Sequence, residues 1–474
     1  MSVLEERLGA APAVQLARRA LAGEEGVWIA GGAVRDAALG EEVVDLDLAV
    51  AADPAPLAKA IAREGRGHSF ELSAEFATWR AVAADHSWQI DVTALRGGTI
   101  EDDLGERDFT IGAVAVPLAG GAPLDPHGGL ADLERRLLRA VGEGSFAADP
   151  LRLLRAARFA ACLDLQIDPS TAALARAEAT RAAEPAGERQ LVELRKLVGG
   201  PDPLRGIELL DELGLTPVVL PELEHLRGVE QGPNHHLDVH GHTIAVLERT
   251  LEVEADLERF GGERAGELAA LLAEPLADEM DRRTALRFGA LLHDIGKPTT
   301  RSERDGFVTF VGHDRDGVGI VGGLCARLRA SRVLTRHLQD LTLHHLRLGF
   351  LVHEAPLPPR RVHEYLRATE PVGVDVTLLT IADRLSARGS GPVATPEAIE
   401  AHLSLAKQML AAALDWRRLG PPAPLVRGDE LAAELGIGEG PEVGEMLAEL
   451  EAAQYAGEVT DREQALAFAR AHRG

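Results

Sequence analysis

The sequence predicts an α+β protein, a mixed-sheet head with helices followed by an all-α remainder. Three observations carry this. From Val27 to about Val116, apolar runs of strand length alternate with helical patterns. From about Leu130 onward the periodicity turns helical and stays so. Gly420-Pro421-Pro422-Ala423-Pro424 then reads as a linker that isolates a last helical unit of about fifty residues.

In chain order, residues 1–26 read as an N-terminal helix. Val27 to Ala30 is a strand, closed by Gly31-Gly32. The run VVDLDLAV (Val43 to Val50) is a second strand, and Ser87 to Leu95 and Phe109 to Val116 are further strand candidates. LADLERRLL, DPLRLLRAARFAACL, STAALARAEATRAA and RQLVELRKLV carry helical periodicity. Gly199-Gly200-Pro201 and Pro203 break the chain, and a second break at Gly228 to Pro233 precedes a histidine-rich stretch. Leu251 to Arg283 reads as a helical hairpin. The expected division is 1–141 for the head, 142–225 for a helical neck and body, 226–415 for a larger helical domain and 425–474 for a C-terminal arm.

Composition narrows the function classes. The 46% hydrophobic and 26% charged content is that of a globular protein. No apolar run approaches the length of a membrane span, so no membrane association is expected. The N-terminus is acidic, without a basic segment or cleavage pattern. Cys162 and Cys325 are the only cysteines, too few for a disulfide framework or a thiolate zinc site. A cytoplasmic location is expected. The net charge of −25 argues against sequence-blind nucleic-acid binding, yet residues 132–200 hold 11 Lys/Arg against 10 Asp/Glu. Residues 421–474 hold 4 against 11, so RNA contacts are expected near the middle of the chain.

Asp45 and Asp47 stand two apart on a strand and so share a face. Paired hard oxygen ligands suit Mg²⁺, which is usually completed by substrate phosphates. Gly31 and Gly32 let backbone N–H groups approach a triphosphate with no Cβ in the way. This is the layout of phosphoryl or nucleotidyl transfer. Asp91, on the strand QIDVT, is expected beside the pair, to orient a metal or to accept a hydroxyl proton.

Five motifs between Val27 and Glu193 occur in the order in which the class II tRNA nucleotidyltransferase and bacterial poly(A) polymerase family has them: GGAVRD, DLD, ERDFTIGAVA, ADPLRLLRAARFAA and GERQLVEL. The chain resembles that family, which implies a polymerase-β-type nucleotidyltransferase head. The resemblance makes Arg35 a triphosphate contact, with Asp36 either in the same site or capping the following helix. It makes Arg107 and Asp108 nucleotide-site residues, Asp108 having an ion-pair staple as its alternative. Asp149 and Arg152, three apart, would share a helix face and read the base edge, where C and A both offer a donor beside an acceptor. Arg155 and Arg158 would face triphosphate or RNA. Gly112 and Ala148 depart from the family's asparagine and glutamate.

LLHDIGKP (Leu291 to Pro298) closes an apolar helix. With His242, His293-Asp294, His313, His344-His345 and Asp383 it resembles the two-metal HDIG branch of the HD-superfamily phosphohydrolases, which implies a site for divalent transition metals. His235, His236 and His240 are assigned no metal. Leu425 to Arg470 resembles the C-terminal helical unit of HD-containing CCA-adding enzymes. The function implied is template-independent addition of C, A or both to a tRNA 3′ end from CTP and ATP. An A-adding-only, CC-adding-only or poly(A)-adding enzyme shares the same motifs. An HD phosphohydrolase with an RNA-binding head is the reading from another class. The oligomeric state is not legible.

Overall fold

A computed structural model describes all residues except Met1, Ser2, Glu75, Phe76, His86, Glu439, Arg473 and Gly474. The chain forms two compact units, residues 1–219 and 220–474.

The first unit begins with two helices, Val3–Ala10 and Pro12–Ala20, where the sequence suggested one. Pro12 ends the first helix and supplies the fixed φ that starts the second. Six strands follow: β1 (Val27–Ala30), β2 (Asp45–Val50), β3 (His68–Ser73), β4 (Thr78–Val82), β5 (Gln89–Ala94) and β6 (Ala115–Pro117). They form one sheet in the order β3-β4-β5-β2-β1-β6. Only β2 and β5 run parallel; every other pair in the sheet is antiparallel. The parallel pair needs a long crossover, and the Pro54–Glu64 helix and the β3–β4 hairpin provide it. That helix is capped by Asp53 on the Ala55 N–H and buries Leu57, Ala58, Ile61 and Ala62.

In β2 the apolar alternation does its work. Leu46 and Leu48 turn into a core with Ile29, Val34, Ile90 and Val92, while Asp45 and Asp47 stay exposed. On burial each leucine contributes about 2 kcal/mol, which locks the register and hence the direction of both carboxylates.

The expected strand over Phe109–Val116 is corrected. Thr110–Gly112 is a 3₁₀ turn, and only Ala115–Pro117 pairs as a strand. The Thr110 hydroxyl donates to Asp132 at 2.7 Å, which draws the chain into the turn. The helix over LADLERRLL is shorter than expected. It spans Gly129–Glu134, and Leu137–Leu138 pairs instead with Gln166–Ile167. The Arg152–Cys162 and Gly187–Val198 helices pack on each other in the same unit.

In the second unit, helices Val239–Ala255, Arg282–Leu292, His313–Arg327, Arg332–His344 and Gly373–Ser386 enclose the histidine-rich site. Leu251 to Arg283 is no simple hairpin of helices. It ends in a β-hairpin, Pro275–Ala277 with Met280–Asp281, turned by Asp278 and Glu279 at positive φ. Gly428–Leu435, Pro441–Tyr455 and Arg462–Ala471 pack on a separate core that includes Leu431, Leu435, Leu450 and Ala453. Among the described residues, no helix is long and apolar enough to cross a membrane.

Asp132 is fully buried and accepts from both Thr110 and Arg139. Asp132→Ala strands the buried Thr110 hydroxyl and removes the Arg139 ion pair, so it should cost ~1–3 kcal/mol of stability. Urea unfolding of the full chain reads this as a lower midpoint.

Candidate functional site

The head places its charged residues around the ends of β2 and β5. Parallel register sets Asp45 opposite Gln89 and Asp47 opposite Asp91. The helix Gly32–Leu39 starts beside them, with Gly31 as its N-cap at φ +73°. A Cβ on Gly31 would lie 2.6 Å from Arg107 Nη1 and 3.7 Å from Asp47 Oδ2. The backbone angle therefore calls for glycine, and a Cβ there would push the Arg107 guanidinium aside. Arg107 donates to Asp103 at 3.0 Å and to the Gly112 carbonyl at 3.2 Å. At Gly112 that contact comes from the backbone.

The Asp47 carboxyl is pushed up to about 6. Loss of hydration is the main cause, and the charges of Asp91 and Asp45 add to it. Arg107 and Arg35 pull the other way. Asp47 nonetheless keeps an exposed face toward the cleft. A carboxyl that resists ionisation beside a second acid fits a divalent cation, whose charge would relieve it.

Asp91 has a partner that the motifs did not foretell. Arg80, directly opposite on β4, donates Nε to Asp91 Oδ1 and Nη2 to Asp91 Oδ2, both at 2.8 Å. The usable signal was its alternation with Trp79 on a short strand, but no motif marked it.

Arg35 binds Asp36 at 2.7 Å. Asp36 therefore does not cap its helix, whose N-cap is Gly31. Arg35, Arg155 and Arg158 surround the Phe159 ring, with guanidinium carbons 5.2, 5.0 and 3.9 Å from its centroid. Asp108 accepts the Phe109 N–H at 2.9 Å and pairs with Arg155 at 2.7 Å. Burial works to raise the Asp108 carboxyl, but Arg155 outweighs it and the net shift is downward. Buried Glu193, to which the sequence reading of the GERQLVEL motif gave no role, takes Arg158 and Arg155.

Asp149 and Arg152 do not share a helix face, which corrects the expectation. Asp149 is extended at φ −146°, and the helix begins only at Arg152. Pro150 explains this, because a residue before proline is driven out of the α region. Asp149 binds Arg189 at 2.8 Å. Arg152 donates to the carbonyls of Glu106 at 2.6 Å and Arg107 at 3.3 Å, and to Ser145. The two still flank one turn.

In the second unit, two sets of converging ligand atoms meet: His242, His293 and Asp383, and Asp294, His313 and His345. Asp294 stands between them. Its Oδ2 lies 3.1 Å from His293 Nε2 and 3.6 Å from His242 Nε2. Its Oδ1 lies 3.2 Å from His313 Nε2 and 3.6 Å from His345 Nε2. Asp383 closes the first set, 3.1 Å from His242 Nε2.

The rings are aimed by one repeated device. The Nδ1 atoms of His293, His313 and His345 meet the carbonyls three residues back, of Ala290, Phe310 and Thr342, at 2.9, 2.7 and 2.6 Å. A proton on each Nδ1 leaves each Nε2 lone pair inward. His242 Nε2 and His293 Nε2 are buried with no hydrogen-bond partner, which fits a metal.

Burial works against ionised Asp294. His293 and Lys297, whose Nζ is 2.6 Å from Oδ2, outweigh it and hold the carboxyl well below its ordinary range. His344 is corrected: it turns away, accepts from Arg347 at 2.9 Å, and is pushed down to about 4 by burial and that charge. His235, given no role by the sequence, stacks edge-on against His242 at 4.5 Å between ring centroids.

Comparison with known proteins agrees in extent with these elements. Residues 27–139 match the family described as the poly A polymerase head domain, and 164–226 match the probable RNA and SrmB-binding site of polymerase A. Residues 241–388 match the HD domain family. The chain is 36% identical to an A-adding tRNA nucleotidyltransferase of Deinococcus radiodurans, over 94% of each chain. It is 34% identical to a CC-adding tRNA nucleotidyltransferase of Thermus thermophilus, over 94% of this chain and 93% of that one. The fold matches a CCA-adding enzyme in complex with ATP at TM-score 0.65 and 21% identity, over 99% of both chains. It also matches the Thermotoga maritima CCA-adding enzyme complexed with tRNA at TM-score 0.61 and 22% identity, again over 99% of both.

Two measurements test these sites. Because its folded pKa is raised, Asp47 favours the fold below its unfolded value of 3.8, and that contribution is lost as pH rises through about 6. Metal-free Asp47→Asn should therefore melt higher than wild type at pH 7.5, with the difference fading as pH falls from 6 toward 4. In the second unit, elemental analysis should show less bound metal in His345→Ala and an unchanged content in His344→Ala.

Proposed function

This chain belongs to the tRNA nucleotidyltransferase family, and from that premise we propose that it adds C, A or both to the 3′ end of tRNA from CTP and ATP without a template. The observation that carries this reading is the β2–β5 register. It sets Asp47 level with Asp91, while Asp47 itself lies against the Gly31–Gly32 helix start with Arg107 and Arg35 acting on its charge, and Asp45 stands two residues earlier on the same strand face. In the reaction the tRNA 3′-oxygen bonds the α-phosphorus, the bond from α-phosphorus to bridging oxygen breaks, pyrophosphate leaves with that electron pair, and the hydroxyl proton is released.

Asp45 and Asp47 would hold Mg²⁺, which supplies neutralisation of charge on the triphosphate and the leaving group. Gly31 and Gly32 offer backbone N–H groups, and Arg35 and Arg107 offer guanidinium forks, to phosphate oxygens. Arg155 and Arg158 form the cationic wall around Phe159, and Asp108 fixes Arg155. Arg152, anchored on carbonyls, and Asp149 read the base edge, which requires Asp149 to share its acceptors between Arg189 and the base. Asp91 supports the acid pair.

The second unit adds a phosphohydrolase-like site. Its two ligand sets would hold divalent transition metals, whose role is Lewis-acid polarisation of a phosphoester. The proposed division is head 1–141, neck and body 142–225, HD domain 226–415 and C-terminal arm 425–474, in a cytoplasmic protein.

The test is incubation with tRNA lacking its 3′ end and each labelled NTP in turn, with products sequenced. CTP or ATP should be incorporated, and UTP and GTP should not. Asp45→Ala and Asp47→Ala should each lower the rate by at least about a hundredfold, while His293→Ala combined with Asp294→Ala should leave addition largely unchanged. Addition at wild-type rate by both head variants would overturn the assignment of the acid pair.

A further inference from the structure

We propose that Arg80 is a positioning residue of the transfer site, which fixes Asp91 and cancels its charge so that Asp45 and Asp47 alone form the seat for the cation. The inference rests on the nucleotide-addition reading above. Asp91 lies between two opposed neighbours. On one side the parallel register sets it level with Asp47, a like charge. On the other the antiparallel register sets it directly opposite Arg80. The guanidinium takes both Asp91 oxygens at 2.8 Å, a two-point fork that a point charge cannot reproduce. Both side chains are largely shielded, 27% and 17% exposed, so the pair is little screened by water.

Two further observations fit. Among the described residues, the sets of three converging metal-ligand atoms both lie in the second unit, and Asp45, Asp47 and Asp91 form no third. A carboxylate whose two oxygens are held by a fork is not turned toward its neighbours. The charge of Arg80 also acts on Asp45 and Asp47. Without it, three carboxylates on adjacent strands would carry uncompensated negative charge. Asp91 would then be free to enter the cation's shell and displace the geometry that the substrate needs.

This gives a signature of unusual sign. Loss of Arg80 makes the site more negative, so the cation binds more tightly while turnover falls. Damage to the fold would weaken both. The experiment measures addition to tRNA lacking its 3′ end, at saturating CTP or ATP, as a function of free Mg²⁺. Arg80→Gln should lower kcat about tenfold and lower the half-saturating Mg²⁺ about fivefold, with KM for the nucleotide little changed. Asp91→Asn, which leaves Arg80 unbalanced, should raise the half-saturating Mg²⁺. The double variant Arg80→Gln/Asp91→Asn restores neutrality and should return it close to wild type. Arg80→Lys keeps the charge and loses the fork, so it should keep the wild-type Mg²⁺ dependence with a partial loss of kcat.

An Arg80→Gln protein that needs as much Mg²⁺ as wild type or more, or a double variant that restores nothing, overturns the proposal. If Arg80→Gln fails to fold by circular dichroism, Asp91→Asn and Arg80→Lys decide it. An unchanged Mg²⁺ requirement in the first, or a shifted one in the second, sinks it. If the wild-type protein adds no nucleotide, the functional reading fails. Calorimetric titration of the same metal-free variants with Mg²⁺ then tests the order of affinities by itself.

Discussion

Parallel pairing of β2 with β5 brings Asp47 level with Asp91, and the rest of the head is arranged around the repulsion that results. Loss of hydration, with the charges of Asp91 and Asp45 added to it, pushes the Asp47 carboxyl up to about 6. The chain answers the repulsion from three sides. Arg80 neutralises Asp91 from β4, Arg107 comes in beside Gly31, and the Gly32–Leu39 helix turns its N-terminus to the same place. None of these removes the negative charge of the Asp45–Asp47 pair itself. Positive charge surrounds the two acids while the acids themselves stay exposed, the arrangement on which the proposed cation seat rests.

The second unit handles its ligands in the opposite way. There Asp294 is buried and Asp383 half-buried, and imidazoles rather than guanidiniums compensate them. Nδ1 contacts with backbone carbonyls three residues earlier set three of the rings, so the helix and turn geometry itself aims the Nε2 atoms. Oxygen donors alone at the head suit a hard ion with retained water, whereas mixed nitrogen and oxygen donors suit a transition ion. The donor sets of the two units thus differ in the class of ion they would favour.

Much of this was legible in the sequence wherever one local pattern carried both fold and chemistry. In Asp45–Val50 the leucines that fix the strand also fix where the acids point, so reading one gave the other. LLHDIGKP worked similarly, because the apolar helix Arg282–Leu292 delivers His293 and Asp294 at its end. What escaped depended on partners distant in sequence. β3 is mostly exposed, its only alternating apolar residues being Phe70 and Leu72, and the hairpin that brings Arg80 to Asp91 was not legible from so short a pattern. Phe109 to Val116 has strand composition, yet a hydroxyl bond to Asp132 bends it into a turn. The spacing of Asp149 and Arg152 suggested a shared helix face, which Pro150 forbids. His344 and His345 are equivalent in sequence, and only the helix rotation sends one inward and the other to Arg347.

The near absence of lysine sharpens the contrast between the sites. Wherever the first unit needs a planar carboxylate held in one orientation it uses arginine, at Asp91, Asp108 and Glu193. A fork fixes orientation as well as charge. At Asp294 the chain uses Lys297 instead, a point charge on Oδ2, the oxygen nearest His293 and His242. A guanidinium there would claim both oxygens and close the carboxylate to the imidazoles on either side. An ammonium neutralises one corner, leaves Oδ1 to His313 and His345, and can yield to a metal without leaving the carboxylate misaligned. The choice of cation thus follows from what each carboxylate must do: Asp91 must stay still, while Asp294 must stay open on two sides.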